Sequence, residues 1–275
     1  MNSRLLHCLL AILCSLCAGV SATAQNTAIV GDMDGDGRLS IDDVTLLVNT
    51  ILGDTPERTL RLADGETPWP EEPTADTHEY VDLGLPSGTL WATCNVGASA
   101  PEESGQYFAW GETQPKTIYD WPHYTLCKGS IATLTNYCMN EKYGTADRLS
   151  ELADNHDAAT TRWGKAWCMP TKAQAEELLS PTNTRITSTT INGINGFTIS
   201  SLSGDASIFL PAAGAVIDTT NSMAGEHAEY WTRSLQTDDS SRAHYMYIDS
   251  YRPITDNQLR FIGCPIRPVR VVPAR

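Results

Sequence analysis

The sequence is short of positive charge. Its 19 lysine and arginine residues stand against 33 aspartate and glutamate residues, which gives a formal net charge of −14 at pH 7. An acidic chain of this kind repels phosphate backbones and anionic lipid. We therefore expect no nucleic-acid partner and no membrane-surface binding. The acidic surplus suits divalent cations and an extracellular medium.

Long apolar runs are also lacking. The most apolar stretch, residues 5–20, is shorter than the ~20 residues that a membrane-spanning helix needs. It follows Arg4 and precedes the small triplet Ala22-Thr23-Ala24, an order typical of a secretory signal peptide. We predict a signal peptide over residues 1–24, with cleavage near Ala24. The expected location is periplasmic, extracellular or cell-surface, without a membrane span.

Cysteine motifs that bind zinc or carry redox chemistry are absent after the predicted signal peptide, since residues 25–275 have neither C-x-x-C nor a Cys/His group with zinc spacing. A lipid anchor at Cys14 or Cys17 is an alternative to cleavage, although Leu precedes each of them. An odd number of later cysteines in an oxidising compartment predicts at least one free or buried thiol. Cys127 and Cys138 are close enough to form a disulfide, and whether they do is left open. The later cysteines are Cys94, Cys127, Cys138, Cys168 and Cys264.

Catalytic signatures are lacking as well. The chain has no G-x-S-x-G, no H-E-x-x-H and no glycine loop for phosphate. The adjacent Glu176 and Glu177 point to different faces of a helix, so they do not form a carboxylate pair. We predict no catalytic and no cofactor-binding residue. Four histidines lie far apart in the sequence: His123, His156, His227 and His244.

What is present divides into three regions after the signal peptide. Residues 25–53 hold an acidic loop and one amphipathic helix. Residues 54–78 are rich in proline and acids, which is typical of a semi-extended linker. Residues 79–275 are richer in aromatic residues, glycine and short β-like runs. We predict an α+β protein, with a small calcium loop-helix module and a mixed domain of short strands and long loops.

The predicted helix of the large domain opens at Pro170-Thr171 and continues from Ala173 to Leu179 in good helix formers. The predicted strands are Tyr80–Leu83, Thr89–Thr93, Ser207–Leu210, Ala243–Ile248 and Ile266–Val271.

The acidic loop has the spacing of a calcium site, D-x-D-x-D-G-x5-D. Alternate carboxylates face a hard cation that takes six to eight oxygen ligands, and Gly37 permits the sharp turn. Arg38 contributes its backbone carbonyl, and Ser40 a hydroxyl or a bridging water. We expect Ca²⁺ as the cofactor, with an affinity of roughly 10⁻⁴ M. The predicted metal ligands are Asp32, Asp34, Asp36, Arg38, Ser40 and Asp43.

A helix with one apolar face follows this loop and ends at Gly53. Such a helix needs a partner surface to cover the stripe Val44, Leu47, Val48, Ile51 and Leu52.

Residues 31–53 resemble one repeat of a type I dockerin, an EF-hand-like module. The resemblance implies calcium binding and a cohesin-like or other surface protein as partner. Dockerins normally have two such repeats, and only one is found here. Many carry Ser-Thr where this chain has Ile41-Asp42, which bears on cohesin recognition.

Residues 79–271 resemble a second family, the major paralogous domain of Fibrobacter succinogenes, which also occurs in Bacteroidetes surface proteins. This resemblance implies a fold like those of C-type lectins and formylglycine-generating enzymes, in which the two ends of the domain pair in one sheet, so the strand around Trp91 should lie near the one that begins at Ile266. Only Cys264 lies where the formylglycine enzymes have a redox-active pair, so that chemistry is not carried over. The segments behind the resemblance include Tyr80–Ala98, Tyr107–Thr113, Asp157–Ala159, Met169–Thr171, Ile208–Gly214, Tyr230–Ser234 and Ile266–Val269.

Tryptophan placement completes the expectations. Trp91, Trp110 and Trp231 lie in the shared segments and are expected in the core, whereas Trp121 is the expected exposed platform. We predict a secreted, calcium-binding, non-catalytic protein that displays a lectin-like domain to a glycan or protein partner. An accessory component of polysaccharide degradation, tethered through the dockerin-like repeat, is the first alternative. An enzyme that uses a cleft of the formylglycine-generating fold is the second.

Overall fold

The computed structural model describes residues 77–270. The chain divides after Pro70, and all of the described residues belong to the unit Glu71–Arg275. The predicted signal peptide, the calcium loop with its helix and most of the linker lie outside the described residues. Within residues 77–270, no helix is long and apolar enough to cross a membrane.

Short strands dominate the described region, so it is mixed but sheet-rich. The helices are α1 (Ala158–Trp163) and α2 (Lys172–Leu179), with 3-10 turns at Glu141–Tyr143 and Asp154–His156. The first six strands are β1 (Tyr80–Asp82), β2 (Leu90–Ala92), β3 (Trp167–Cys168), β4 (Thr184–Ile191), β5 (Ile194–Ser201) and β6 (Ser207–Pro211). The others are β7 (Ala215–Ile217), β8 (Thr220–Ser222), β9 (Ala228–Leu235), β10 (Arg242–Ile248), β11 (Pro253–Leu259) and β12 (Val269–Arg270).

Four antiparallel sheets contain these strands, in the orders β1-β2-β12-β3, β11-β10-β9, β4-β5-β6 and β7-β8. In the first sheet, Val269 lies opposite Trp91 on β2 and opposite Cys168 on β3. The expected pairing of the strand around Trp91 with the last predicted strand is therefore confirmed. That last strand is shorter than predicted, because residues 266–268 are not in strand conformation.

The predicted helix is confirmed, and its start has a clear cause. Thr171 accepts a hydrogen bond from the amide of Gln174, whose side chain in turn accepts one from the Thr171 amide. This reciprocal capping satisfies two amides that would otherwise lack partners. The buried face of α2, formed by Ala175, Leu178 and Leu179, packs into the hydrophobic core.

The β4–β5 hairpin was not predicted. Its two-residue turn is Asn192-Gly193, and both residues have positive φ, 50° and 83°. That geometry matches the right-handed twist of the flanking strands, which explains the preference for Asn-Gly at such turns. Strand β4 lies at an edge of its sheet, with its exposed positions mostly threonine and serine.

Two groups of buried side chains form the core. The larger contains Trp110 and Trp231, and the smaller contains Trp91, so all three tryptophans are core residues as predicted. Two arginines are also fully buried, Arg260 and Arg267. Arg260 donates hydrogen bonds to the Tyr124 hydroxyl and to three backbone carbonyls, with its guanidinium 4.8 Å from the centre of the Trp110 ring.

All five cysteines of the described region are free, so the possible Cys127–Cys138 disulfide is not formed. The Cys127 thiol donates to the carbonyls of Trp121 and Tyr124, at 3.3 Å each. The Cys138 thiol donates to a different carbonyl, that of Asn140, at 3.2 Å. The expectation of a buried thiol is confirmed, since Cys138 is buried.

Candidate functional site

The turn between β10 and β11 projects an aromatic ring into solvent. One carboxylate oxygen of Asp249 accepts hydrogen bonds from the backbone amides of Tyr251 and Arg252, at 2.7 Å each. The Asp249 amide donates to the Arg252 carbonyl at 3.2 Å. With its backbone fixed in this way, Tyr251 is 92% exposed, the most exposed of the large hydrophobic residues described. The hydrogen bonds of Asp249 therefore fix the turn that exposes the Tyr251 ring.

The second carboxylate oxygen of Asp249 accepts a hydrogen bond from the Tyr247 hydroxyl at 3.0 Å. Partial burial favours the neutral acid, but the amide hydrogen bonds from Arg252 and Tyr251 outweigh it and lower the pKa of Asp249. Hydrogen bonds that require the charged form act in this direction. Asp249 is consequently an anion at neutral pH, and both of its oxygens hold the turn.

Two open hollows lie beside this turn, with volumes of about 440 and about 410 Å³. They share the turn residues 249–251 together with Ser188 and Phe197. Hollow 1 is further lined by Leu179, Pro181, Thr184, Arg185, Ile186, Leu202, Ile248, Arg252 and Pro253. Hollow 2 is further lined by Asn195, Gly196, Ala212, Gly225, Glu226 and His227.

Strand register brings the polar residues of hollow 2 together. On the β9–β10 pair, Tyr247 lies opposite Glu229, which sets His227 beside the Tyr247 ring. The Tyr247 oxygen is 3.4 and 3.3 Å from the two His227 ring nitrogens. His227 Nδ1 is 3.7 Å from a carboxylate oxygen of Glu229, too long for a direct hydrogen bond.

Burial sets the protonation of this group. It raises the pKa of Glu229, against the opposing effect of His227. It also raises the pKa of Tyr247 to about 12, aided by Asp249. Tyr247 is therefore a neutral hydroxyl at physiological pH and donates to Asp249. His227 is the member of this group that lines hollow 2.

The aromatic platform predicted from sequence was wrong. Trp121 is only partly exposed, and its ring packs edge-on against Tyr124 and Phe261 at 5.8 and 5.1 Å between ring centres. Contact with the core covers most of the indole, so it cannot serve as an open stacking surface. Tyr251 takes that place instead.

The other residues singled out from sequence have local partners. Glu176 pairs with Lys172 at 2.7 Å, while Glu177 accepts hydrogen bonds from the backbone amide and hydroxyl of Ser87. The two glutamates thus face different neighbours, as predicted. His123 lies 2.6 Å from Asp120. Of the four histidines, His227 alone lines a hollow that also contains Tyr251.

The residues missed from sequence are those of the turn. Asp249-Ser250-Tyr251-Arg252-Pro253 interrupts two strand-like runs, and aspartate followed by serine and then proline is turn chemistry. A tyrosine at the tip of such a turn is the signal that could have indicated the site. His227 gave no such signal, because its relation to Tyr247 depends on strand pairing.

The predicted calcium ligands at residues 32–43 lie outside the described residues. Within residues 77–270, no group of three or more His, Cys, Asp or Glu side chains is arranged to hold a metal ion. Comparison with protein-family models, with curated proteins and with solved structures gave no match for this chain.

Proposed function

We propose that this is a secreted, non-catalytic glycan-binding protein, whose binding site is the Tyr251 turn with its two hollows. The observation that carries the proposal is the 92% exposure of Tyr251 between two hollows rich in hydrogen-bonding groups. An aromatic face packs against the C–H face of a sugar ring, while hydroxyl, amide and carboxylate groups bond to its hydroxyls.

The chemistry of the hollows supports a sugar over other ligands. Ser188, Asn195 and Ser250 supply side chains that both donate and accept, which suits the many hydroxyls of a sugar. The net charge of −14 disfavours nucleic acid. Both hollows are open and shallow, as suits a chain of sugar units that extends beyond the site.

A glycan array probed with the full chain tests the proposal. Tyr251→Ala is expected to abolish the signal, because it removes the platform and leaves the turn backbone intact. Tyr80→Ala is the matched control, since Tyr80 is 47% exposed on β1 and lines neither hollow. No glycan signal for the unmodified chain, or an equal loss in both variants, would refute the site.

We further propose that residues 25–53 bind Ca²⁺ and dock the protein to a cohesin-like or other surface protein. The support is the ligand spacing from Asp32 to Asp43 and the resemblance to a dockerin repeat. The resemblance of residues 79–271 to the Fibrobacter paralogous domain supports a lectin-like domain behind it. Together these make an accessory role in extracellular polysaccharide degradation the second candidate function.

A pull-down with cohesin-bearing proteins, in calcium and in chelator, separates the two candidates. Calcium-dependent capture supports the tethered accessory role. Capture that is absent in both conditions removes the tether and leaves glycan display alone.

A further inference from the structure

We propose that hollow 1 is a subsite for a sugar that bears a carboxylate, such as a hexuronate residue of an acidic polysaccharide. This inference rests on the proposed glycan binding and names the class of glycan. Its basis is the pair of arginines, Arg185 and Arg252, that line this hollow in an otherwise acidic protein.

The two arginines are available to a ligand. Neither forms an ion pair with any residue of the described region, where six ion pairs involve other basic side chains. Both are exposed. Asp249 is the one acid that lines hollow 1, and its oxygens are engaged by the amides of Tyr251 and Arg252 and by the Tyr247 hydroxyl. Asp249 keeps its negative charge, so the lining of hollow 1 carries two positive charges against one negative charge, and a carboxylate on the ligand meets a net positive surface.

Arginine suits this task for a geometric reason. Its planar guanidinium presents parallel N–H donors that match the two oxygens of a carboxylate. A neutral sugar gains much less from the same group, because its hydroxyls carry no charge. Preference for an acidic sugar over its neutral counterpart thus follows from the rim of hollow 1.

The floor of hollow 1 fits the body of a sugar ring. Leu202, which is 49% exposed, and the half-buried Ile186 are apolar side chains that line this hollow. They offer a surface to the C–H groups of a pyranose, while Ser188 and Ser250 lie where its hydroxyls can bond. Apolar contact and charge recognition therefore occur in the same hollow.

Hollow 2 has the opposite charge. Its lining contains Glu226 and Asp249, with His227 as the one basic group and no lysine or arginine. A carboxylate bound there would face like charges, which costs affinity. The two hollows on either side of Tyr251 therefore fix the direction of the chain, with the acidic sugar in hollow 1 and a neutral sugar in hollow 2.

The test compares oligogalacturonate with the same oligosaccharide after methyl esterification, which removes the charge and keeps the rings. Affinities are measured by calorimetry on the full chain, the double variant Arg185→Met/Arg252→Met, and Tyr251→Ala. We expect the acid to bind about tenfold more tightly than the ester, because two exposed ion pairs each contribute a factor of up to about five. The double variant should abolish this preference, so that acid and ester bind to it equally.

The outcomes separate this inference from the proposed function. Equal binding of acid and ester, both lost in Tyr251→Ala, overturns the carboxylate subsite and keeps glycan binding. A preference for the acid that survives in the double variant overturns the assignment to the two arginines. Failure of both forms, and of every neutral glycan on the array, overturns the proposed function itself. Circular dichroism of each variant confirms that it is folded.

Discussion

Substitution of the buried Arg267 by methionine tests how the core of the described region is held together. Arg267 is fully buried and contacts four oxygen acceptors. Its guanidinium donates to the Asn95 side-chain oxygen at 2.8 Å and to the Ala92 carbonyl at 3.0 Å. It also donates to the carbonyls of Thr93 and, at 2.9 Å, Phe209. One side chain thus joins the chain after β2 to strand β6.

Two opposing effects decide how much stability the Arg267→Met substitution removes. Burial of a charge is costly, and it lowers the pKa of Arg267 from its ordinary value. Methionine has an unbranched apolar side chain and removes this cost, but it leaves four acceptors, three of them in buried hydrogen bonds, without this donor. Each unsatisfied acceptor costs about 1–3 kcal/mol. We expect the cost of the unsatisfied acceptors to exceed the gain from removing the buried charge. The free energy of unfolding should fall by about 4 kcal/mol, a large part of the ~5–15 kcal/mol that stabilises a typical domain.

Urea unfolding followed by tryptophan fluorescence measures this loss. Arg185→Met is the control, because that arginine is exposed on β4 and its loss should stay within ~0.5 kcal/mol. Arg267→Lys should lie between the wild type and methionine, since its compact ammonium reaches fewer of the acceptors. A methionine variant within ~1 kcal/mol of the wild type would show that charge burial, and not acceptor satisfaction, controls this site.

Three further predictions concern other parts of the chain. Asp34→Ala should abolish calcium binding in calorimetry and leave the melting temperature of residues 77–270 unchanged; a shared drop would contradict separate units. Asp157→Ala should lower the free energy of unfolding by ~2–3 kcal/mol, and Asp157→Asn should lower it by less. The reason is that the Asp157 carboxylate accepts hydrogen bonds from the Thr160 and Met169 amides. Equal losses for the two variants in urea unfolding would refute this. Burial lowers the pKa of His244, so the unfolded chain takes up a proton below pH ~6.5 that the folded one resists, and stability falls as pH drops from 7 to 5. In His244→Phe that fall should be smaller in urea unfolding at the two pH values, and an unchanged fall would exclude His244 as its source.

Local signals in the sequence predicted the elements that depend on local chemistry. The capped helix α2 followed from Thr171 and the helix formers behind it. The strand around Trp91 was predicted from a short β-like run, and the burial of that ring was predicted from its place in a segment behind the family resemblance. The Asn192-Gly193 turn carried an equally strong signal, and the hairpin around it was missed because its strands are mostly polar.

The candidate site could not be predicted because it depends on contacts between residues that are far apart in the sequence. Trp121 and Tyr251 both stand in polar surroundings within two residues of a proline, yet Phe261 packs against the Trp121 ring and Tyr251 is 92% exposed. Exposure of an aromatic residue is set by what folds over it. His227 and Tyr247 are brought together by the β9–β10 register.

The burial of two arginines could not be predicted from the sequence. Arg267 and Arg260 are fully buried, whereas Arg185 and Arg252 are exposed. Arginine is rarely buried without a partner, so composition places all four at the surface. Backbone carbonyls served as the partners of the buried pair, and no pattern of side chains along the chain foretells such an arrangement.

The position of β12 between β2 and β3 has a consequence for how the protein is made. The sheet that contains β2 has to wait for Val269 and Arg270 before its middle is filled. A ribosome releases these residues after every other strand of the described region, so that sheet stays incomplete until they have emerged. Pairings between residues so distant in sequence also form slowly. Folding of this sheet is therefore expected to be completed only after all of residues 77–270 have been made.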